Sequence, residues 1–167
     1  MSALAPVAGR AWVFGDQIDT DVLAPGAYML EPIEVLASHC LEAIEPGFAT
    51  SVQVGDVIVA GRSFGIGSSR EQAVLALRHL GIRAIVAHSF ARIFYRNSLA
   101  LGLPVLICDD LEGVETGQPI RLDVAAASLD AGGRTRACEP LPDFLLDMLD
   151  AGGLIEQLSR QLAAERA

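Results

Sequence analysis

The chain contains no lysine: its 12 basic residues are all arginine, against 21 Asp and Glu. That absence excludes the phosphate-binding P-loop, whose Gly-Lys-Ser/Thr ending needs an ammonium group. The net charge of -9 argues against nucleic acid and anionic membrane as partners, because counterion release needs clustered cations. Cysteine is scarce. Cys40, Cys108 and Cys138 are odd in number and widely spaced, with no Cys-x-x-Cys pair, so they build neither a disulfide framework nor a zinc site and read as buried thiols. No apolar run reaches the length of a membrane span, and Met1 to Arg10 lacks a charged start followed by an apolar stretch. A cytoplasmic protein is expected. Hydrophobic residues make up 51% of the chain and charged ones 20%, which favours a packed core over disorder. A chain of 167 residues is expected to form one domain, with a core over about 9–140 and terminal helices over about 141–165.

The richest stretch runs from Gly61 to Glu71, Gly-Arg-Ser-Phe-Gly-Ile-Gly-Ser-Ser-Arg-Glu. Before it, Asp56 to Ala60 is a short β-branched run that reads as a buried strand. After it, Ala73, Leu77 and Leu80 repeat at helical spacing from Arg70 to Leu80. Gly65 and Gly67 permit backbone conformations that a Cβ forbids. Ser68 or Ser69 is expected to cap the helix, with Glu71 in its first turn. The unpaired amides of a helix start favour an anion, and Arg70 offers a planar fork matched to carboxylate or phosphate. The stretch therefore predicts an anion site with hydroxyls held against it. For a bare glycine pair, an ordinary strand-to-helix turn is the simpler account. A Rossmann fingerprint would need glycine where Arg70 stands.

In chain order, Arg10 to Phe14 is a strand candidate closed by Gly15-Asp16. Asp19-Thr20-Asp21 follows, and its spacing alone favours an Asx-type turn over a cluster facing a site. Pro32 to Leu41 predicts a short helix with Pro at its first position, where His39 reads as a surface or packing residue. Arg83 to His88 is a further strand. Ser89 is expected to cap a helix from Phe90 to about Leu101, closed by Gly102. On that helix Arg92 and Arg96 share one face, a pattern that more often marks a solvated face than a ligand. Pro104 to Cys108 is a third β run, and strand–helix–strand–helix–strand at this spacing predicts parallel pairing. Gly117 to Leu129 and Arg134 to Ala137 suggest a loop, a strand and its hairpin partner. Leu141 to Leu149 and Leu154 to Ala164 are helices split by Gly152-Gly153. The fold class is α/β, a parallel central sheet around residues 57–107 with flanking helices and a further β layer.

Three segments together carry a resemblance: Gly65-x-Gly67-Ser68-Ser69-Arg70-Glu71, Ser89-Phe90-Ala91-Arg92-Ile93-Phe94-Tyr95-Arg96-Asn97, and Asp19-Thr20-Asp21 upstream. In this order, from about Gly9 to Ile107, the chain resembles the small subunits of 3-isopropylmalate dehydratase, the swivel domain of the aconitase superfamily. The resemblance implies a swivelling β/β/α three-layer fold. It also implies a hydro-lyase that isomerises a hydroxy di- or tricarboxylic acid by dehydration and rehydration, as in leucine biosynthesis. The [4Fe-4S] cluster would be held by a large subunit and not by this chain. Carried onto this sequence, Ser68 would be the base that removes the proton beside a carboxylate, and Arg70 would clamp a substrate carboxylate. Ser69 would assist through its hydroxyl or amide beside Gly67, and Asp21 would belong to the acid–base network.

The sequence departs from the family's pattern where Ile66 replaces a frequent Cys, where Gln72 replaces a frequent His, and at Tyr28-Met29-Leu30-Glu31. Isopropylmalate enzymes often show Tyr-Leu-Arg-Thr there, with the Arg on the substrate. Leu30 cannot pair a carboxylate, and no arginine lies from Trp12 through Val59. The distal part of the substrate is then expected to be apolar, or bound by another subunit. Homoaconitate and a methyl-substituted maleate or citraconate stay open as substrates. A non-catalytic module that holds an anion for regulation is the alternative of another class. Partners expected are the large subunit and a small carboxylic acid, and isolated copies are expected to associate through an exposed apolar docking patch.

Overall fold

The β-branched and small apolar runs form the strands they predict. In a computed structural model describing residues 4–167, seven strands make one mixed sheet in the order β4-β3-β2-β1-β5-β6-β7. The first residues of the Met1–Arg10 segment read above lie outside the described part. Strand β1 (Val7–Val13) pairs in parallel with β2 (Val57–Ala60), which pairs with β3 (Ala84–Ala87), which pairs with β4 (Val105–Ile107). Every residue of β2 and β3 is buried, as expected for strands covered on both faces. On its other edge β1 pairs antiparallel with β5 (Pro119–Asp123), followed by β6 (Ser128–Ala131) and β7 (Arg134–Ala137). The parallel part thus includes β1 as well as residues 57–107. The further β strands are hydrogen-bonded to it through β1.

Between the strands lie α1 (Thr20–Leu23), α2 (Ile33–Ser38) and α3 (Phe48–Ser51), then α4 (Glu71–Leu80) and α5 (Arg92–Ala100). Helices α6 (Asp143–Ala151) and α7 (Leu154–Glu165) close the chain. Helix α4 buries Ala73, Val74, Ala76 and Leu77 and packs on α2, α1 and α5. It ends at Gly81, whose left-handed φ of 102° suits the residue after a helix. Helix α2 starts at Ile33, so Pro32 stands just outside it as the cap rather than at its first position. The core is continuous from Ala11 to Leu149. Within it Phe48 meets Trp12 edge-on at 5.0 Å between centroids and Phe14 at 5.9 Å; burying a phenyl ring of this kind contributes about 1.5–3 kcal/mol. Cys40, Cys108 and Cys138 are free and buried. Burial pushes the Cys138 thiol up to about 12, with Cys108 beside it adding to the shift, and burial raises the Cys40 thiol as well. These are inert packing thiols. Among the described residues no helix is long and apolar enough to cross a membrane.

A buried carboxylate fastens the start of the sheet. Asp56 is 1% exposed. Its Oδ1 accepts from the Arg10 amide at 3.0 Å, and its Oδ2 accepts from Arg10 Nη2 at 3.1 Å, Trp12 Nε1 at 2.9 Å and the Gln53 amide at 2.9 Å. Burial alone would raise its pKa, but the four donors outweigh it and hold the carboxyl below its usual value. The first-strand segment and the turn into β2 are thereby locked together.

Candidate active site

The loops leaving the carboxyl ends of β1, β2 and β3 converge, where open parallel sheets place their ligand sites. Two isolated bridges align them: Asp19 runs parallel to Ile66, and Phe64 runs parallel to Phe90. The Thr20 amide donates to the Ile66 carbonyl at 2.8 Å, and the Gly65 amide to the Ile18 carbonyl at 2.7 Å. The glycines make this approach possible. A Cβ on Gly65, at φ 83°, would lie 2.2 Å from Phe94 Cγ. A Cβ on Gly67, at φ 105°, would lie 2.8 Å from Asp19 Oδ1 and 3.0 Å from Thr20 Oγ1. Phe64, Phe90 and Phe94 form an aromatic base beneath the loop, with Phe64 5.3 Å from Phe94 and 6.1 Å from Phe90.

Above that base is a cavity of about 210 Å³ lined by Thr20, Gly65, Gly67, Ser68, Ser69, Arg70, Ala91, Arg92, Ile93, Phe94 and Asn97. Ser68 and Ser69 are exposed in it and Arg70 is half-buried. Arg70 is fixed from one side. Its Nη1 donates to Asp21 Oδ1 at 2.8 Å and to the Ala24 carbonyl at 2.9 Å. Arg70 lowers the Asp21 pKa by this hydrogen bond, helped by the Gly26 amide, which donates to the same oxygen at 3.2 Å. Asp21 is therefore ionised at neutral pH. The other guanidinium nitrogens of Arg70 carry no hydrogen bond among the described residues and remain for a ligand.

Two expected caps are corrected. Helix α4 begins at Glu71 with Arg70 as its cap, without a side-chain bond, so neither Ser68 nor Ser69 caps it. Arg70 is extended at φ -119° and ψ 108°, with its side chain turned to Asp21 and Ala24. Ser89 does not cap α5, whose cap is Ala91. Its hydroxyl accepts from the Ser63 amide at 2.8 Å instead, bracing the Gly61–Gly67 loop. The Asp19–Asp21 segment is both things its sequence allowed. Asp19 Oδ1 accepts from the Asp21 amide at 2.7 Å in an Asx turn, while Asp21 faces Arg70.

Of the predicted site residues, Ser68, Ser69, Arg70 and Gly67 line one cavity, with Asp21 on its arginine. Leu30 does not line it and is fully exposed. Arg92 lines the cavity, and Arg96 lines the adjoining groove, which shares Ile93 and Asn97 with it. His39 stacks on Tyr28 at 3.6 Å and bonds Glu42 at 2.8 Å, a packing role as expected. The sequence reading missed Thr20, Ile93 and Asn97 as lining residues. The spacing of Ile93 and Asn97, four apart on α5, was the available signal. Among the described residues no group of three or more His, Cys, Asp or Glu could hold a metal ion.

Residues 43–109 match the aconitase C-terminal domain family. The chain is 48% identical over 160 residues to 3-isopropylmalate dehydratase small subunit 1 of Methanopyrus kandleri, covering 93% of this chain and 94% of that one. The chain belongs to the 3-isopropylmalate dehydratase small-subunit family. The methanogen homoaconitase small subunit of Methanothermobacter thermautotrophicus is also similar, 46% identical over 153 residues, covering 89% of this chain and 88% of that one. The crystal structure of 3-isopropylmalate dehydratase from Methanocaldococcus jannaschii superposes with a TM-score of 0.91 at 39% identity, covering 97% of this chain and 98% of that chain. Members of the family are small subunits of a hydro-lyase that works with a large subunit.

Proposed function

We propose that this chain supplies the base and one carboxylate clamp of an aconitase-type hydro-lyase, with 3-isopropylmalate as substrate, in complex with a large subunit. The observation that carries the proposal is Arg70 held between Asp21 and the Ala24 carbonyl beside the exposed Ser68–Ser69 pair. Arg70, so anchored, presents its free nitrogens to one substrate carboxylate. Ser68 Oγ takes the proton from the carbon next to that carboxylate and returns it when the alkene is rehydrated. A serine hydroxyl is too weak an acid for this in open water. The Arg70 guanidinium and the α4 amides favour its anionic form, and their effect grows when water is excluded. Ser68 is exposed in this chain alone, which is why the large subunit has to cover the cavity before the base can act. Ser69 adds a donor to the same carboxylate. Asp21, ionised by Arg70, orients that arginine within the acid–base network.

The described residues do not suit a [4Fe-4S] cluster. The three thiols are buried and no metal-holding group is present among those residues. The proposal places the cluster on the large subunit. Isopropylmalate is favoured over homoaconitate by the similarity to 3-isopropylmalate dehydratase small subunits, not by Leu30. Leu30 is an exposed apolar side chain outside the cavity that cannot pair a carboxylate, so the distal part of the substrate is either apolar or bound by the large subunit.

The test is turnover by this chain produced anaerobically with its large subunit, on a panel of hydroxy-diacids, homoaconitate and substituted maleates, following the alkene by ultraviolet absorbance. 3-Isopropylmalate is expected to be the best substrate. A preference for homoaconitate would overturn isopropylmalate as the substrate. No turnover of any acid by a complex with an intact cluster would leave an anion-binding regulatory module as the function. The clamp has its own test. Arg70→Lys is expected to lose at least tenfold in kcat/KM, about 1.4 kcal/mol, because an ammonium cannot bond Asp21, Ala24 and a carboxylate in one plane. Wild-type kinetics from that variant would remove Arg70 from the clamp.

A further inference from the structure

Thr20 is 2% exposed, and its hydroxyl is buried with no hydrogen-bond partner among the described residues. As the first residue of α1 it has no helical carbonyl one turn behind it to accept its proton. The neighbouring Asp19 carboxylate is engaged by the Asp21 amide. Burying a hydroxyl without a partner destabilises a fold, and valine would fill the same volume without that penalty. The hydroxyl sits in a telling place. It lies 3.0 Å from where a Cβ of Gly67 would be, one residue before Ser68, and Thr20 lines the cavity together with Ser68, Ser69 and Arg70. The bridge between Asp19 and Ile66 and the bond from the Thr20 amide to the Ile66 carbonyl fix it there.

We infer that Thr20 is a donor to an oxygen anion formed or bound in this cavity, so that its hydroxyl finds its acceptor only during the reaction. The inference rests on the proposed chemistry of Ser68 and extends it. Two anions share the required chemistry, the Ser68 oxygen after it loses its proton and a carboxylate oxygen of the substrate. For the Ser68 oxygen the donor stabilises a charge that develops only during the reaction, which favours the transition state; for a carboxylate, charged from the outset, it contributes to substrate binding.

Thr20→Val and Thr20→Ser, each in the two-subunit enzyme, test this. Thr20→Val is expected to melt at the same or a higher temperature, since it removes an unpaired buried hydroxyl, and to lose at least tenfold in kcat/KM. Thr20→Ser is expected to recover most of that loss. If the acceptor is Ser68, the loss falls on kcat and the acid limb of the pH–rate profile moves to higher pH, because removing a donor from an anion raises its pKa. If the acceptor is the substrate carboxylate, KM rises and the limb stays in place. Kinetics within twofold of wild type would overturn the inference. So would a lowered melting temperature with a matching loss of activity that Thr20→Ser fails to repair, the signature of a packing residue. Failure of the underlying reading is separable: an active Ser68→Ala enzyme removes the base itself, whereas an inactive Ser68→Ala beside a fully active Thr20→Val removes only Thr20.

Discussion

Replacing Ser68 with Ala in the two-subunit enzyme is expected to lower turnover at least a hundredfold, about 2.7 kcal/mol of transition-state stabilisation. The substitution removes one oxygen from an exposed position, and the Ser68 hydroxyl makes no protein hydrogen bond that would be lost among the described residues. Folding should therefore be untouched, and the large subunit should still bind. Arg70 keeps its anchors on Asp21 and Ala24, so KM should change little while kcat falls. That pattern distinguishes a base from a substrate contact. Turnover within a few-fold of wild type, measured with the cluster content of both enzymes matched, would mean that the proton is taken by a group outside this chain. The glycine geometry and the Arg70 anchor would then describe a carboxylate-binding face only.

The second large effect falls on stability. Asp56→Ala leaves the Arg10 amide, Trp12 Nε1 and the Gln53 amide without their shared acceptor, and the Arg10 guanidinium without its counter-charge. Arg10 is partly exposed and keeps the Ser51 carbonyl. The cost therefore falls on the buried Trp12 Nε1 and the backbone amides left without an acceptor, about 2–3 kcal/mol, which for a chain of this size lowers the melting temperature by roughly 5–10 °C. The pH dependence has a definite sign. The folded-state pKa of Asp56 is lowered, so its contribution is fully present above its unfolded value of about 3.9. It is lost as pH falls below that value and through the lower folded one. Denaturant unfolding of the wild type should therefore weaken below pH 4, and that part of the acid limb should be missing from Asp56→Asn. A loss under 1 kcal/mol in Asp56→Ala, or an unchanged acid limb in Asp56→Asn, would show that the four bonds contribute little beyond what water offers the unfolded chain.

Asp56 also marks what a linear reading reaches. Gly55-Asp56 reads as a turn into a strand, which it is, yet nothing in its neighbours says that Arg10 and Trp12, more than forty residues earlier, converge on its carboxylate. Strand and helix identities were legible because they follow from local periodicity: Val57–Ala60 as a buried run, Ala73, Val74 and Leu77 on one side of α4. The cap assignments were not. Ser69 and Ser89 have the chemistry of caps, but Arg70 is drawn to Asp21, and Ser89 to the Ser63 amide. In both places the partner is distant in sequence, so the local cap signal could not foresee it.

The candidate site divides the same way. By itself the sequence determined that a glycine loop, two hydroxyls and an arginine sit between a buried strand and a helix, since side-chain types and backbone permissions are local properties. Family likeness then supplied the reaction class. Only the tertiary structure decided that Asp21 meets Arg70, that Arg92 joins the cavity lining, and that Thr20 is buried against Gly67 without an acceptor. Those facts depend on the parallel bridging of Asp19 with Ile66 and of Phe64 with Phe90. Such bridges between loops are set by how the sheet strands pair, and no spacing along one chain segment encodes them.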